Sequence, residues 1–288
     1  MSMRSLLFVP ADSERKLARA GESGADALIL DLEDSVVSAR REEARRITGA
    51  FLGGAVRARQ RIYVRINPLA SDDALADLAA IMPSRPDGII LPKSTPADVR
   101  VLDHYLLALE AANGVARGAT RVIAIATETP AAAFELGGYR GIATRLEGLT
   151  WGAEDIAALL GAANRRPDGV YDDVFRLVRA LCVLGAHAAG VMAIDTVFTD
   201  FRDAAGLAAE CEAARRAGFV AKMAIHPSQV AVINRAFTPS VEELAWARQV
   251  VAAFAANATS GAVAIDGRML DRPHLVMAER LLARAGEP

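Results

Sequence analysis

Eight short, almost continuously apolar segments alternate along the chain with longer amphipathic stretches. Nearly continuous apolar runs are typical of parallel strands that are buried on both faces. The segments span residues 4–10, 27–34, 61–67, 87–93, 121–128, 146–152, 191–199 and 221–226. Several end at a proline, which cannot continue a hydrogen-bonded ladder. The pattern predicts about eight parallel strands.

The stretches between these segments have the spacing of amphipathic helices, most clearly over residues 13–23, 74–82, 96–112 and 200–217. Asp12 or Ser13, and Thr95 before Pro96, are the expected N-caps. Strand–helix alternation implies right-handed βαβ crossovers, and eight such units form a (β/α)8 TIM-type barrel of about 250 residues. A doubly wound sheet is the alternative, but the first strand-to-helix turn has no G-x-G-x-x-G motif.

We assign residues 1–237 to the catalytic barrel and residues 238–288 to a C-terminal helical lid. The lid is expected to contain a helix over 241–256, a loop of small residues over 257–267 and a last helix from Pro273. Val250 and Phe254 lie on an apolar face of the first of these helices. Because the segment is too small to fold alone, it must pack on the barrel or on a neighbouring subunit.

Composition narrows the class of protein. The chain has 288 residues, is 52% hydrophobic and has a net charge of −2, so it is not disordered and is not a typical nucleic-acid binder. Cys182 and Cys211 are too few for a disulfide framework. No stretch is long enough for a membrane span, and the N-terminus does not resemble a signal peptide. We therefore expect a soluble, cytoplasmic protein.

Polar side chains end nearly every predicted strand, which is the end where TIM barrels have their active sites. They are Asp31, Glu33, Asp34, Arg65, Asn67, Lys93, Glu128, Glu154, Asp155, Asp195 and His226. Ordinary solvent-facing strand ends are the alternative interpretation. Carboxylates that converge on one site repel each other unless a cation or an arginine lies among them.

The available ligands favour Mg²⁺ as that cation. Only four histidines occur, and only His226 ends a strand, which argues against a zinc site built on several His or Cys side chains. Mg²⁺ needs one or two carboxylates, with water and substrate oxygens completing its shell. Glu128 and Asp155 follow adjacent strands, and we expect them to be the ligand pair.

Two basic features indicate an anionic substrate. Arg65 lies in an otherwise apolar strand, where it needs an anionic partner such as a substrate carboxylate or an enolate oxygen. A structural ion pair with Glu33 or Asp34 is the alternative. Arg15, Lys16 and Arg19 begin the first helix at the same face of the barrel, where they form either an anion site or a solvated helix face.

Seven motifs, in order over nearly the whole chain, resemble the citrate lyase β-subunit family, whose relatives include malyl-CoA and citramalyl-CoA lyases. They are Arg4-Ser-Leu-Leu-Phe-Val-Pro, Asp31-Leu-Glu-Asp-Ser-Val, Val64-Arg-Ile-Asn, Leu91-Pro-Lys, Thr127-Glu-Thr-Pro, Trp151-Gly-Ala-Glu-Asp and Ala224-Ile-His-Pro-Ser-Gln. The resemblance implies a TIM-type barrel, Mg²⁺, and reversible cleavage of a 3-hydroxyacyl-CoA thioester to an acyl-CoA, such as acetyl-CoA, and an α-keto acid.

The resemblance also implies roles for individual residues. Arg65 matches the substrate arginine, and Glu128 and Asp155 match the metal ligands, with Glu128 also beside the substrate. The residues that match acyl-CoA contacts are Phe8, Arg15, Arg19, Ile194 and Asp195. Phe8 replaces a tyrosine of some relatives, so one polar contact differs.

The tail over residues 267–274 resembles the lid motif of malyl-CoA-type lyases. There the aspartate that matches Asp271 is the acid/base in a neighbouring subunit's site, which implies a homo-oligomer, a trimer or hexamer. Asp271 also precedes Pro273 and could simply cap the last helix.

Three other functions stay open. A thioesterase could use the same metal to direct water onto the thioester. Lys93 could be the nucleophile of a Schiff-base aldolase, since lysine is otherwise present only at Lys16 and Lys222. The chain could also be a subunit of a larger lyase complex. The sequence does not identify the acyl group.

Overall fold

The computed structural model, which describes residues 3–56 and 60–287, contains a closed barrel of eight parallel strands. The strands are β1 (Ser5–Pro10), β2 (Ala27–Asp31), β3 (Arg61–Arg65), β4 (Gly88–Leu91), β5 (Arg121–Ile125), β6 (Leu146–Thr150), β7 (Met192–Asp195) and β8 (Ala221–Ala224). They pair in chain order, and β8 returns to β1 with Leu6 opposite Met223. The predicted TIM-type barrel is confirmed.

Helices connect the strands and surround the barrel. They are α1 (Glu14–Gly21), α2 (Arg41–Gly54), α3 (Asp73–Ile81), α4 (Pro96–Ala112), α5 (Pro130–Ala133), α6 (Ala153–Leu160), α7 (Asp173–Ala189), α8 (Ala204–Ala217) and α9 (Pro227–Phe237). Thr95 caps α4 as predicted, because its hydroxyl accepts from the Asp98 N–H at 3.4 Å while the Asp98 carboxylate accepts from the Thr95 N–H. Ser13 is at the N-cap of α1 but makes no side-chain capping bond. Within the described ranges, no helix has the length and apolarity needed to cross a bilayer.

Two apolar layers hold the barrel together. Ile29, Tyr63, Ile90 and Ile123 pack inside it. Alternate strand residues, with Leu30 as an example, pack outward against the helices. Because both faces of each strand are buried, both sets of side chains must be apolar. This explains the nearly continuous hydrophobic segments of the sequence.

The chain after α9 forms a small C-terminal unit with its own apolar cluster. It consists of α10 (Val241–Ala256), β9 (Ala262–Ile265), β10 (Arg268–Asp271) and α11 (Arg272–Ala285). The prediction of a loop over 257–267 was wrong for β9, which pairs antiparallel with β10. Val263 and Ile265 are buried and Ala264 is exposed, so this short segment alternates as a strand with one covered face does.

The C-terminal unit packs on the barrel at the amino-terminal side of β8. Arg215, near the end of α8, donates two hydrogen bonds to the Glu243 carboxylate of α10, at 2.9 and 2.7 Å. Arg284 of α11 donates to the carbonyl of Phe237 at 3.2 Å. Because α8 ends just before β8 begins, the contact with Arg215 lies opposite the carboxyl ends of the strands. Through this contact, the unit packs on the amino-terminal side of the barrel and not on its carboxyl face.

Candidate active site

A small cavity of about 70 Å³ lies at the carboxyl ends of the strands. Its walls include Phe8, Arg65, Glu128, Trp151 and Asp155. Four of these five were predicted site residues, and they come from β1, from β3, from the loop after β5 and from α6. The barrel brings them together because parallel strands all end at the same face.

Glu128 is the buried carboxylate of this cavity, with 2% of its surface exposed. A Cβ atom at Gly152 would lie 2.6 Å from Glu128 Cγ, so the loop after β6 can pass this close only with glycine. The pKa of Glu128 is raised to about 8, mainly by burial and secondly by repulsion from the Asp155 carboxylate. Ionisation of Glu128 beside Asp155 is therefore costly without a compensating cation.

Asp155 lies in the first turn of α6 and is partly exposed. It comes after β6, as expected, but it lies on a helix and not at the strand end, because β6 ends at Thr150 and α6 begins at Ala153. The helix still places the carboxylate beside Glu128.

Lys93 connects several of these carboxylates. Its backbone φ is 47°, a left-handed conformation that is rare for residues other than glycine. In this conformation its N–H donates to Glu128 Oε2. Its ammonium donates to Glu33 Oε1 at 2.5 Å and lies 3.4 Å from Asp155 Oδ1.

The same contacts keep Lys93 charged. Burial alone would lower its pKa, but the hydrogen bond to Glu33 and the nearby carboxylates raise the pKa of Lys93 well above its usual range. A Schiff-base nucleophile must be a neutral amine. The surroundings of Lys93 therefore disfavour the aldolase mechanism that uses it.

Arg65 is held by the Asp31 carboxylate, which is not one of the two partners predicted for it from the sequence. Its Nε and Nη2 donate to the two oxygens of Asp31, each at 2.7 Å. Glu33 and Asp34, the predicted partners, lie 3.0 and 3.5 Å from its Nη1. Asp31 and Arg65 are opposite each other in the β2–β3 register, so strand alignment could have identified the pair.

The donor set fits a hard divalent cation. Two carboxylates, Glu128 and Asp155, meet at one cavity, and the ligands that Mg²⁺ prefers are oxygens. Within residues 3–56 and 60–287, no cluster of three or more His, Cys, Asp or Glu side chains could hold a metal. A site with two protein ligands suits Mg²⁺, because this ion retains several waters or substrate oxygens.

Ile194 and Asp195 are fully buried at the end of β7. The Asp195 carboxylate accepts hydrogen bonds from Trp151 Nε1 at 2.8 Å, from Arg179 at 3.0 and 3.1 Å, and from Lys222 at 2.9 Å. All these donors are protein groups, so the geometry does not favour a side-chain contact with CoA. The network instead fixes the indole that forms one wall of the cavity.

Arg15 and Arg19 are exposed on α1, which follows β1 at the carboxyl face. This agrees with either of the two interpretations given for the helix, an anion site or a solvated face. Phe8 lies nearer the centre, where the guanidinium carbon of Arg65 is 4.8 Å from its ring centroid. The ring therefore packs on the predicted substrate arginine.

Asp271 does not line the cavity of its own chain. It is at the N-cap of α11, and its Oδ1 lies 2.6 Å from Nδ1 of His274. More than half of its side chain is exposed. The capping position predicted from the sequence is therefore present, and the carboxylate is also open to another molecule.

Comparison with known proteins places this geometry in a family. Residues 4–227 match the model of the HpcH/HpaI aldolase/citrate lyase family. A citrate lyase subunit beta-like protein of Mycobacterium tuberculosis is 39% identical over 98% of this chain and 95% of its own length. A (3S)-malyl-CoA thioesterase of Cereibacter sphaeroides is 34% identical over 98% of this chain and 94% of its own length.

A solved structure is similar over the whole chain. It is the crystal structure of the protein CitE of M. tuberculosis in complex with magnesium, acetoacetate and coenzyme A. It superposes with a TM-score of 0.80 at 38% identity and covers 99% of each chain. The magnesium in this relative confirms the expected cofactor at the level of the family.

Proposed function

This chain belongs to the HpcH/HpaI aldolase/citrate lyase family and is a carbon–carbon lyase of the citrate lyase β-like type, and we propose that its substrate is a 3-hydroxyacyl-CoA thioester. The products are then an acyl-CoA, such as acetyl-CoA, and an α-keto acid. The acyl group is of the malyl, citramalyl or citryl type. The observation that supports this most directly is the cavity shared by Glu128, Asp155 and Arg65.

Glu128 and Asp155 are the residues that would hold Mg²⁺. When bound, Mg²⁺ supplies Lewis acidity that makes the substrate hydroxyl easier to deprotonate. The raised pKa of Glu128 is consistent with this assignment, because two neighbouring carboxylates are best stabilised by a cation between them. Lys93 fixes Glu128 through its backbone N–H, so the carboxylate is oriented before substrate arrives.

Arg65 would stabilise the negative charge that develops on the thioester oxygen as the carbon–carbon bond breaks. Asp31 holds its Nε and Nη2, so Nη1 is the donor that would turn to the substrate, in competition with Glu33 and Asp34, which lie 3.0 and 3.5 Å from it. A donor that is already oriented by a buried carboxylate needs little reorganisation during the reaction.

Asp271 of a neighbouring subunit would exchange the proton at the α-carbon of the acyl-CoA product. The proposal is supported by its exposure and by its absence from its own chain's cavity. It requires a homo-oligomer, a trimer or hexamer, in which the lid of one subunit covers the barrel of the next. The CoA part of the substrate would contact Phe8, Arg15 and Arg19. Ile194 and Asp195 would lie on the CoA side of the site.

The second candidate is a thioesterase that uses the same site. The 34% identity to a (3S)-malyl-CoA thioesterase over nearly the whole chain favours it as the alternative. The product separates the two reactions, because the lyase releases a keto acid and the thioesterase releases a free hydroxy acid and CoA thiol.

The test is a panel of malyl-CoA, citramalyl-CoA and citryl-CoA, supplied with Mg²⁺ to the purified chain alone. Keto acid is measured with a carbonyl reagent and thiol with a disulfide reagent. Keto acid without thiol supports the lyase. Thiol without keto acid supports the thioesterase. If no substrate gives either product, the isolated chain is neither a lyase nor a thioesterase for these thioesters.

A further inference from the structure

A second and larger cavity, of about 670 Å³, lies between the barrel and the C-terminal unit. We call it the C-terminal groove; Phe219 and Arg215 line its barrel side, and Trp246, Arg280 and Arg284 line its other side. Its barrel residues are at the end of α8 and just before β8. The groove is therefore at the amino-terminal ends of the strands, away from Glu128.

The lining of the groove is largely apolar. Phe219 is fully buried at its barrel wall, and Trp246 and Met277 face it with 37% and 63% of their surfaces exposed. Leu281 of α11 adds a partly buried aliphatic side chain. Large exposed apolar side chains that converge in one concave surface are a common feature of ligand sites.

The charged side chains of the groove are not balanced, since four arginines line it against the two carboxylates of Glu242 and Glu243. Arg215 is paired with Glu243 through two hydrogen bonds. Within the described part of the chain, neither Arg280 nor Arg284 has a carboxylate oxygen within 4.0 Å of its guanidinium nitrogens. Among the described residues, the Arg284 side chain donates one hydrogen bond, to the Phe237 carbonyl at 3.2 Å.

Arg284 is also partly buried. Burial is the larger cause that lowers the pKa of Arg284 from its usual value; the positive charge of Arg215 adds to it, and the Glu243 carboxylate offsets only part of the shift. A guanidinium that is partly desolvated and repelled by a neighbour gains more from an anion than a fully solvated one does. Together with Arg280, it places positive charge beside an apolar surface.

We propose that the C-terminal groove binds an amphiphilic organic anion, meaning an apolar chain or ring that carries a carboxylate, sulfonate or phosphate group. The charge of Arg280 and Arg284 selects the anionic end, and Trp246, Met277 and Phe219 select the apolar end. The volume of about 670 Å³ is in the usual range for one small organic ligand. Such a ligand would contact the barrel and the C-terminal unit at once.

The test uses decanoate as the anion and 8-anilinonaphthalene-1-sulfonate as a fluorescent competitor, on the full-length protein without substrate. The expected result is one competed site per chain. Arg284→Gln and Arg280→Gln should each raise the dissociation constant of decanoate about tenfold, the loss of roughly one charge-assisted hydrogen bond. Decanol, which lacks the charge, and sulfate, which lacks the apolar part, should compete poorly.

Arg268→Gln is the matched control, because Arg268 is an exposed arginine of the same C-terminal unit outside the groove. It should bind decanoate as the wild type does. Circular dichroism checks that each variant is folded. If Arg284→Gln does not fold, Arg280→Gln alone tests the proposal. Unchanged decanoate binding in a folded arginine variant, no competed site, or equal binding of decanol would each overturn the proposal. The assay needs no turnover, and repeating it with Glu128→Gln separates it from the proposed lyase activity.

Discussion

The backbone N–H of Lys93 donates to the carboxylate of Glu128, and it can do so because Lys93 has a left-handed φ of 47°. Residues other than glycine in this region are strained, and such strain is concentrated at functional sites. Here the unusual conformation directs an amide at the buried carboxylate while the Lys93 ammonium reaches Glu33. One residue thereby orients both a proposed metal ligand and the acidic group beside Arg65.

Glu128→Gln and Asp155→Asn should each abolish Mg²⁺-dependent turnover while the barrel still folds. A two-carboxylate site that loses one charged ligand binds Mg²⁺ much more weakly. Turnover and Mg²⁺ binding by calorimetry are the measurements. Asp173→Asn, an exposed carboxylate of α7, is the control and should behave as wild type. Near-wild-type turnover of both site variants without metal would disprove the metal mechanism.

Arg65→Lys should be nearly as damaging as Arg65→Ala, with kcat reduced by roughly 10²–10³. Asp31 accepts two parallel hydrogen bonds from the Arg65 fork, and an ammonium cannot make both and still present a donor to substrate. Steady-state kinetics measure the effect. A lysine variant with full activity would show that a point charge is sufficient.

Replacing Arg15 and Arg19 together by alanine should raise KM for the CoA thioester much more than it lowers kcat. These groups would bind the remote phosphates equally in the ground and transition states. Arg100→Ala, on the exposed surface of α4, is the control. If the double variant keeps the wild-type KM, α1 is a solvated helix face.

Mixing inactive Asp271→Ala chains with inactive Glu128→Gln chains under conditions of subunit exchange should restore part of the activity. Some sites then combine an intact barrel with an intact lid from another chain. A lid that acts in its own subunit restores none, because every chain brings its defect to its own site. Exchange must be verified separately, for example with two affinity tags, before a lack of recovery counts against the shared site.

Glu110→Gln should destabilise the protein at pH 7 by about 1.5–3 kcal/mol, because it removes one of the two carboxylates that pair with the buried Arg145 guanidinium and leaves only Asp103. Burial opposes ionisation of Glu110, but the Arg145 guanidinium and two backbone N–H groups lower its pKa to about 2. Its stabilisation is therefore complete above the unfolded-state pKa of about 4.3 and is lost as the pH falls towards 2.

Denaturant unfolding of wild type and Glu110→Gln between pH 2 and 7 measures this effect. The difference in unfolding free energy should shrink below about pH 4.3. Glu212→Gln removes an exposed carboxylate that is 4.0 Å from Arg216, and it should change stability by less than about 0.5 kcal/mol. A difference that does not depend on pH would show that Glu110 acts through packing.

Much of the fold could be predicted from the sequence because each strand is buried on both faces. Continuous apolar runs ending in polar residues identified all eight strands, and the capping of α4 by Thr95 needed only the local sequence. The hairpin of β9 and β10 was missed, since each strand has only four residues and the two alanines of β9 also fit a loop. The division at residues 237 and 238 stays a prediction, and α9 does end at Phe237.

The residues of the candidate site could be predicted from the sequence, but their contacts could not. The motifs identified Arg65, Glu128 and Asp155, but the partner of Arg65 depended on the register of β2 against β3, and the left-handed backbone of Lys93 has no local signal. The burial of Asp195 could not be read either, because Arg179 and Lys222 come from different elements.

The sequence by itself determined which segments are strands, where their polar ends lie and which family the motifs belong to, since these depend on neighbouring residues along the chain. Only the tertiary structure decided which charges meet. Asp31 pairs with Arg65, and Asp195 with Lys222, across 34 and 27 residues. The energy of a charge depends on its burial and on its nearest partners, and closure of the barrel sets both.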